Sequence, residues 1–132
     1  MCSSDLIADE VARLGIADRV HRLGYLPDAE LAGIVAASRL LVFPSLYEGF
    51  GMPVVEAQAA GVPVAASADA SLDEACGDAA VRFDPLDIDA MAAAIGSALV
   101  DGALLVEKGR AHAATFSWAD AGRRIAEAIE AT

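Results

Sequence analysis

Apolar residues in this chain fall into short unbroken runs set between stretches of helical spacing. Leu40-Leu41-Val42-Phe43, closed by Pro44, and Val62 to Ala66 are apolar runs of strand length. Such runs suit strands covered on both faces in a parallel sheet. Val81 to Phe83 and Val20 to Leu23 (VHRL) are shorter candidates of the same kind. Between and around them, helices are predicted over Ile7 to Leu14, Asp28 to Ala37, Val54 to Ala60, Ser71 to Ala75, Ala90 to Val100, Ala103 to Ala114 and Trp118 to Ala131. Leu31, Ile34 and Val35 mark the side of the second helix expected to be buried, with Asp28 as its cap. Ser117-Trp118-Ala119-Asp120 has capping-box spacing, with Asp in the usual Glu or Gln position, and opens the last helix.

Strands near 20–23, 40–44, 62–66 and 81–83 alternating with helices predict an α/β fold, a Rossmann-like open parallel sheet with flanking helices. Ligands of such sheets bind in the crevice at the carboxyl ends of the strands. The chain's 132 residues make one domain with a real core. Twenty acidic against nine basic residues leave a net charge of −11, which argues against nucleic-acid or anionic-membrane partners. Cys2 and Cys76 give no disulfide framework, so a reducing cytoplasm is expected, with Cys76 a small buried residue. With Met1 to Leu6 polar, no signal peptide is expected, and no apolar run reaches membrane length.

The chemistry concentrates between the first long run and the helix after it, in Glu48-Gly49-Phe50-Gly51-Met52-Pro53. Pro53 suits the first helical position because its missing N–H would have no partner there. Met52 is then the expected N-cap, and it has no oxygen for the free N–H groups of the first turn. Gly49 and Gly51 remove bulk where a ligand would approach the backbone. An uncapped helix start at the carboxyl end of a strand suits a phosphate, while a loop with positive φ at its glycines and water on its donors explains the same residues. On the loop alone the two readings stand level. Two carboxylates break the tie: Glu48 precedes the loop, and Glu56, at about the fourth helical position, is too late for a capping box. A solvated first-turn acid complementing the dipole is the alternative for Glu56, but Val55, Ala57, Ala59 and Ala60 leave it on an apolar helix, where a polar partner is expected.

EGFGMPVVE, Glu48 to Glu56, resembles the E-x7-E motif of the group 1 (family 4-like) retaining glycosyltransferases. The resemblance extends through Phe43 to Tyr47, Ala57 to Val64, Glu74, Gly77 to Ala80, Asp84-Pro85 and Phe116 to Trp118. It implies the C-terminal, donor-binding domain of a two-domain GT-B glycosyltransferase, truncated at its N-terminus. The implied reaction is retaining transfer of a sugar from a nucleotide-diphosphate sugar to an acceptor held by the missing N-terminal domain. By resemblance, Glu56 accepts from the ribose hydroxyls and Gly49, Phe50, Gly51 and Met52 present backbone N–H groups to donor sugar and phosphates. Glu48 lies beside the sugar ring as the catalytic candidate, and Gly24 and Tyr25 contribute a base contact. No covalent nucleophile is evident, so catalysis would be positioning plus stabilisation of the departing diphosphate. The family's cationic pair for that diphosphate would lie upstream of Met1. The resemblance implies no cofactor and no metal, and leaves room for peripheral contact with the inner face of the membrane. Alone, the chain is expected to be inactive.

Several other residues have simpler readings. Asp87-Ile88-Asp89 has the look of a metal-binding triad but opens a helix, where acids cap and complement the dipole. His112 is expected on a solvated helix face, His21 and Arg22 on a strand end reaching solvent, and Arg39 against a nearby acid or water. Cys2-Ser3-Ser4-Asp5-Leu6 matches the translation of a common sequencing-adapter end, so residues 1–6 are expected to be foreign and the natural sequence to begin near Ile7. A GT-B-fold epimerase or phosphorylase, or a non-catalytic subunit of a glycosyltransferase complex, is the alternative function. The intact pair Glu48 and Glu56 argues against the subunit.

Overall fold

The computed structural model describes residues 3–131. They form two compact units, one up to Leu31 and one from Ala32 onward. The first holds helix α1 (Ser3–Arg13), a 3-10 turn over Ala17–Arg19 and an extended stretch leading into α2 (Asp28–Ala37), which continues into the second unit. α1 is amphipathic, with Arg13 bonded to Glu10 at 2.8 Å one turn back. Helix is already present at Ser3, four residues before the predicted start at Ile7. Cys2 lies outside the described residues.

One predicted strand is absent. Val20 to Leu23 is extended but forms no ladder, because a strand exists only by pairing and no partner for it occurs among the described residues. α2 also differs in detail. Glu30 and Leu31 both donate to the Pro27 carbonyl, so Asp28 is the first helical residue and not its cap. Leu31 and Ile34 are exposed, and among the three expected on the buried side only Val35 packs against the core.

The second unit carries a three-stranded parallel sheet in chain order, β1 (Leu41–Phe43), β2 (Val64–Ser67) and β3 (Val81–Phe83). Val42 stands opposite Ala65, and Ala66 opposite Arg82. β2 is central and buried throughout, as its unbroken apolar run requires. Alternate residues serve the two faces. Val64 and Ala66 join Leu41 and Phe43 in a core under α3 (Met52–Ala60), α4 (Asp73–Cys76) and the end of α6 (Gly102–Ala113). Ala65 joins Val42, Val81 and Phe83 in a second core under α5 (Ile88–Val100), with Leu105 of α6. Each fully buried Val or Leu contributes about 1.5–3 kcal/mol relative to an exposed one. The final helix, α7 (Trp118–Glu130), follows Phe116.

Two of the expected caps form. Asp87 accepts from the Ala90 N–H at 2.9 Å and starts α5, so its carboxylate serves the helix end. Ser117 accepts from the Asp120 N–H at 3.3 Å, but Asp120 turns to Arg123 at 2.7 Å, leaving half a capping box. Cys76 is a buried free thiol whose pKa is raised by desolvation. His112 departs from expectation. It is half-buried: its Nε2 lies 3.0 Å from the Glu74 carbonyl and its ring meets Phe116 edge-on at 5.1 Å, so it ties α6 to α4 while keeping part of its surface in solvent.

Candidate functional site

β1 ends at Phe43 and α3 begins at Met52, so residues 44–51 form a loop at the carboxyl edge of the sheet. Residues 68–72, after β2, lie beside it, and the two meet where the Glu48 N–H donates to Ser71 Oγ at 3.1 Å. This is the crevice that an open parallel sheet offers a ligand.

The helix start is one residue earlier than predicted. Gly51, not Met52, is the N-cap, Met52 is the first helical residue, and Val54 N–H closes the first turn on the Gly51 carbonyl at 2.9 Å. The cause is the backbone of Gly51, whose φ of 92° and ψ of 43° lie in the left-handed region open to glycine. With no side chain at the cap, no side-chain oxygen serves the first turn. Backbone N–H groups of Gly49, Phe50, Gly51 and Met52 make no hydrogen bond among the described residues. A run of free donors at a helix N-terminus suits an anion.

The two glycines have different reasons to be there. A Cβ on Gly51 would fall 2.5 Å from Leu72 Cδ2, so the fold itself requires glycine at this point. Gly49 has nothing within 4 Å of where its Cβ would be, leaving open approach to the backbone. Phe50 packs its ring against Phe116, edge to face at 5.6 Å, which anchors the loop to the core.

The carboxylates sit in contrasting surroundings. Glu48 is half-buried, and its Oε1 accepts from Ser45 Oγ at 2.8 Å. Glu56 is exposed and makes no hydrogen bond or ion pair among the described residues. It borders a cleft of about 610 Å³ lined by Phe50, Met52, Glu74, Phe116, Trp118 and Arg124, among others. Trp118, at 83% exposure, and the two phenylalanines give that cleft an aromatic wall.

Polar residues that the sequence left unremarked join the loops together. Ser71 donates from its N–H and from its Oγ to Asp69 Oδ1, at 2.9 and 2.5 Å. These bonds hold the Asp69 carboxyl below its ordinary pKa. Arg82, reaching up from β3, donates to the Ser67 and Asp69 carbonyls at 2.9 Å each and pairs with Asp73 at 3.1 Å. Ser67 Oγ donates to the Ser45 carbonyl at 2.5 Å. An arginine inside an otherwise apolar three-residue strand was the available signal, since a long cation in such a place needs carbonyl or carboxylate partners.

Gly24 and Tyr25 belong to the first unit, where Gly24 has a φ of 66° and Tyr25 is 95% exposed.

The family profile described as "Glycosyl transferases group 1" matches residues 4–114. The chain is 45% identical over 102 residues to O-antigen chain mannosyltransferase B of Escherichia coli, covering 75% of this chain and 27% of that protein. It is 40% identical over 116 residues to an MMP alpha-(1->4)-mannosyltransferase of Mycolicibacterium hassiacum, covering 82% of this chain and 28% of that protein. Among solved structures it resembles sucrose-phosphate synthase of Thermosynechococcus elongatus with a TM-score of 0.80 and 29% identity, over 96% of this chain and 34% of the other. The chain therefore spans 27 to 28% of the length of those two mannosyltransferases.

Proposed function

The chain belongs to the glycosyl transferases of group 1, and from that premise we propose that it is the donor-binding part of a retaining GT-B glycosyltransferase. The whole protein transfers a sugar from a nucleotide-diphosphate sugar to an acceptor bound outside this span. One observation carries this reading: the four unpartnered backbone N–H groups from Gly49 to Met52, at an uncapped helix start, lie between two carboxylates at the carboxyl edge of the sheet. Donors that the fold does not use offer the diphosphate a neutral, pre-oriented cradle in a chain whose net charge of −11 would otherwise repel it.

Within the E-x7-E motif, Glu56 accepts from the ribose hydroxyls, for which an exposed, unpaired carboxylate is suited. Glu48 stands beside the sugar ring, and Gly24 and Tyr25 serve the base. The loop residues act by binding and orienting, with no metal or cofactor invoked, and the transition state gains from the oriented backbone dipoles. Two relatives are named mannosyltransferases, so a nucleoside-diphosphate mannose is the first donor to assay. The reaction is placed in the cytoplasm, with an acceptor in solution or at the inner face of the membrane.

Calorimetry of the full-length protein with nucleoside diphosphates, followed by a transfer assay with the corresponding sugar donors, tests the proposal. Binding and acceptor-dependent transfer are expected. Absence of nucleotide binding would sink the site, and epimerisation or phosphorolysis in place of transfer would replace the reaction. This span expressed without the rest should bind more weakly or not at all and should transfer nothing; turnover by the span alone would refute the division of labour.

A further inference from the structure

Six residues close a continuous circuit of hydrogen bonds beneath the Glu48 loop. Glu48 N–H donates to Ser71 Oγ, and Ser71 Oγ–H donates to Asp69. Arg82 bridges the carbonyls of Asp69 and Ser67, Ser67 Oγ–H donates to the Ser45 carbonyl, and Ser45 Oγ–H returns to the Glu48 carboxylate at 2.8 Å. The circuit draws on all three strands: Ser45 follows β1, Ser67 ends β2 with Asp69 and Ser71 beyond it, and Arg82 lies within β3. Glu48 is held by its backbone through Ser71 and by its carboxylate through Ser45, whose single proton lies nearer Glu48 Oε1, at 2.8 Å, than the Tyr47 carbonyl, at 3.1 Å. Glu56 has no such support, although it lies only eight positions further on.

We propose that Ser71, its hydroxyl oriented by Asp69, is a positioning residue for Glu48, and that the Arg82 circuit keeps the sugar-facing carboxylate in one place while leaving the nucleotide contacts at Glu56 independent. The inference rests on the placement of Glu48 beside the reacting sugar. Its physical content is that a serine hydroxyl has one proton, and Asp69 claims it. The oxygen lone pairs of Ser71 are then left facing the Glu48 N–H, so the bond has one sense and the loop one register. A carboxylate held this way loses little conformational freedom when the sugar arrives, which is where a positioning residue acts on rate.

The test uses the full-length enzyme and four variants, Ser71→Ala, Ser71→Thr, Glu48→Gln and the double variant Glu48→Gln/Ser71→Ala, read by kcat and by calorimetric Kd for the nucleoside diphosphate. Ser71→Ala should lower kcat about tenfold with Kd for the diphosphate unchanged, in keeping with the net contribution of one hydrogen bond. Ser71→Thr, which keeps the hydroxyl, should recover most of the loss. The double variant should be no slower than Glu48→Gln alone, because Ser71 acts through Glu48. Additive losses, no rescue by threonine, or parallel loss of diphosphate affinity in Ser71→Ala would each overturn the proposal, the last by showing a general loosening of the site. A Glu48→Gln variant with full turnover would overturn it too. The donor-binding reading fails separately, if Glu56→Gln leaves diphosphate affinity unchanged.

Discussion

Glu48 and Glu56 are nine-residue partners in sequence and opposites in structure. Glu48 is half-buried on a loop, bonded through its carboxylate to Ser45 and through its backbone to Ser71. Glu56 stands on the first turns of α3, exposed and unpaired among the described residues. Loops are ordinarily the mobile places and helices the fixed ones, yet here the loop carboxylate is the more constrained. The helix supplies a rigid stem and leaves its acid free to meet a ligand; the loop needs side-chain bonds to achieve comparable order. On the roles proposed for them, a binding group and a positioned group would reach precision by different routes.

The change that should disturb this contrast most is Gly51→Ala. It adds a Cβ 2.5 Å from Leu72 Cδ2 at a left-handed backbone position, so both glutamates should shift together. Destabilisation of about 3 kcal/mol is expected by denaturant unfolding, with loss of nucleotide binding and turnover. An alanine variant as stable as the parent would rule out a left-handed Gly51 packed against Leu72.

The two single carboxylate changes then separate the routes. Hydrogen bonds to a charged group contribute about 1.5–3 kcal/mol, so Glu56→Gln should weaken nucleoside-diphosphate binding by roughly ten- to a hundredfold in calorimetry. Glu48→Gln should reduce turnover by about tenfold and leave diphosphate binding nearly as it was, since the lost interaction is with the sugar. Equal losses of nucleotide affinity in both variants would erase the distinction between them.

A smaller effect tests whether the buried side of α3 is independent of its exposed side. Gln58 is 1% exposed, donates to the Cys76 carbonyl at 3.1 Å and leaves its Oε1 with no hydrogen bond among the described residues. The Cys76 carbonyl has a second donor in the Ala79 N–H at 3.1 Å. Gln58→Met removes the orphaned oxygen at nearly constant volume and should stabilise the protein by about 1 kcal/mol without altering nucleotide affinity. A fall in melting temperature would show that the amide does more than fill space. Smallest of all, Asp87→Asn/Asp89→Asn should leave donor binding unchanged, because Asp87 caps α5 and asparagine caps about as well. Metal-dependent binding that disappears in that double variant would reassign the pair.

Much of this architecture was legible before any coordinates. The runs at 40–43 and 62–66 have the length and apolar character of covered strands, and β1 and β2 lie within or overlap them; β2 is buried throughout, while β1, with one neighbour among the described strands, is only half-buried. Ser117 and Asp87 cap helices because their short oxygenated side chains suit that geometry wherever they fall. Val20 to Leu23 looked equally strand-like and failed, since β-propensity expresses a fit to neighbours and none of them pairs with it among the described residues. His112 shows a related effect: on a helix wheel it is a polar residue, and only the approach of Glu74 and Phe116 gives this half-buried ring partners in another element.

The order of amino acids is enough to specify the parallel α/β character, the position of the loop between β1 and α3, and the two carboxylates that flank its glycines. Those follow from local rules, apolar runs, helix stops and the absence of a capping oxygen, which act over a few residues. Tertiary structure alone decided that Gly51 answers to Leu72 while Gly49 faces open space, and that Ser45, Ser67, Asp69, Ser71 and Arg82 form one circuit around Glu48. Serine, aspartate and arginine have partners everywhere in water, so their type carries no address. Only the register that sets Arg82 opposite Ala66, and the loops that leave the same edge of the sheet, fix which partners they keep.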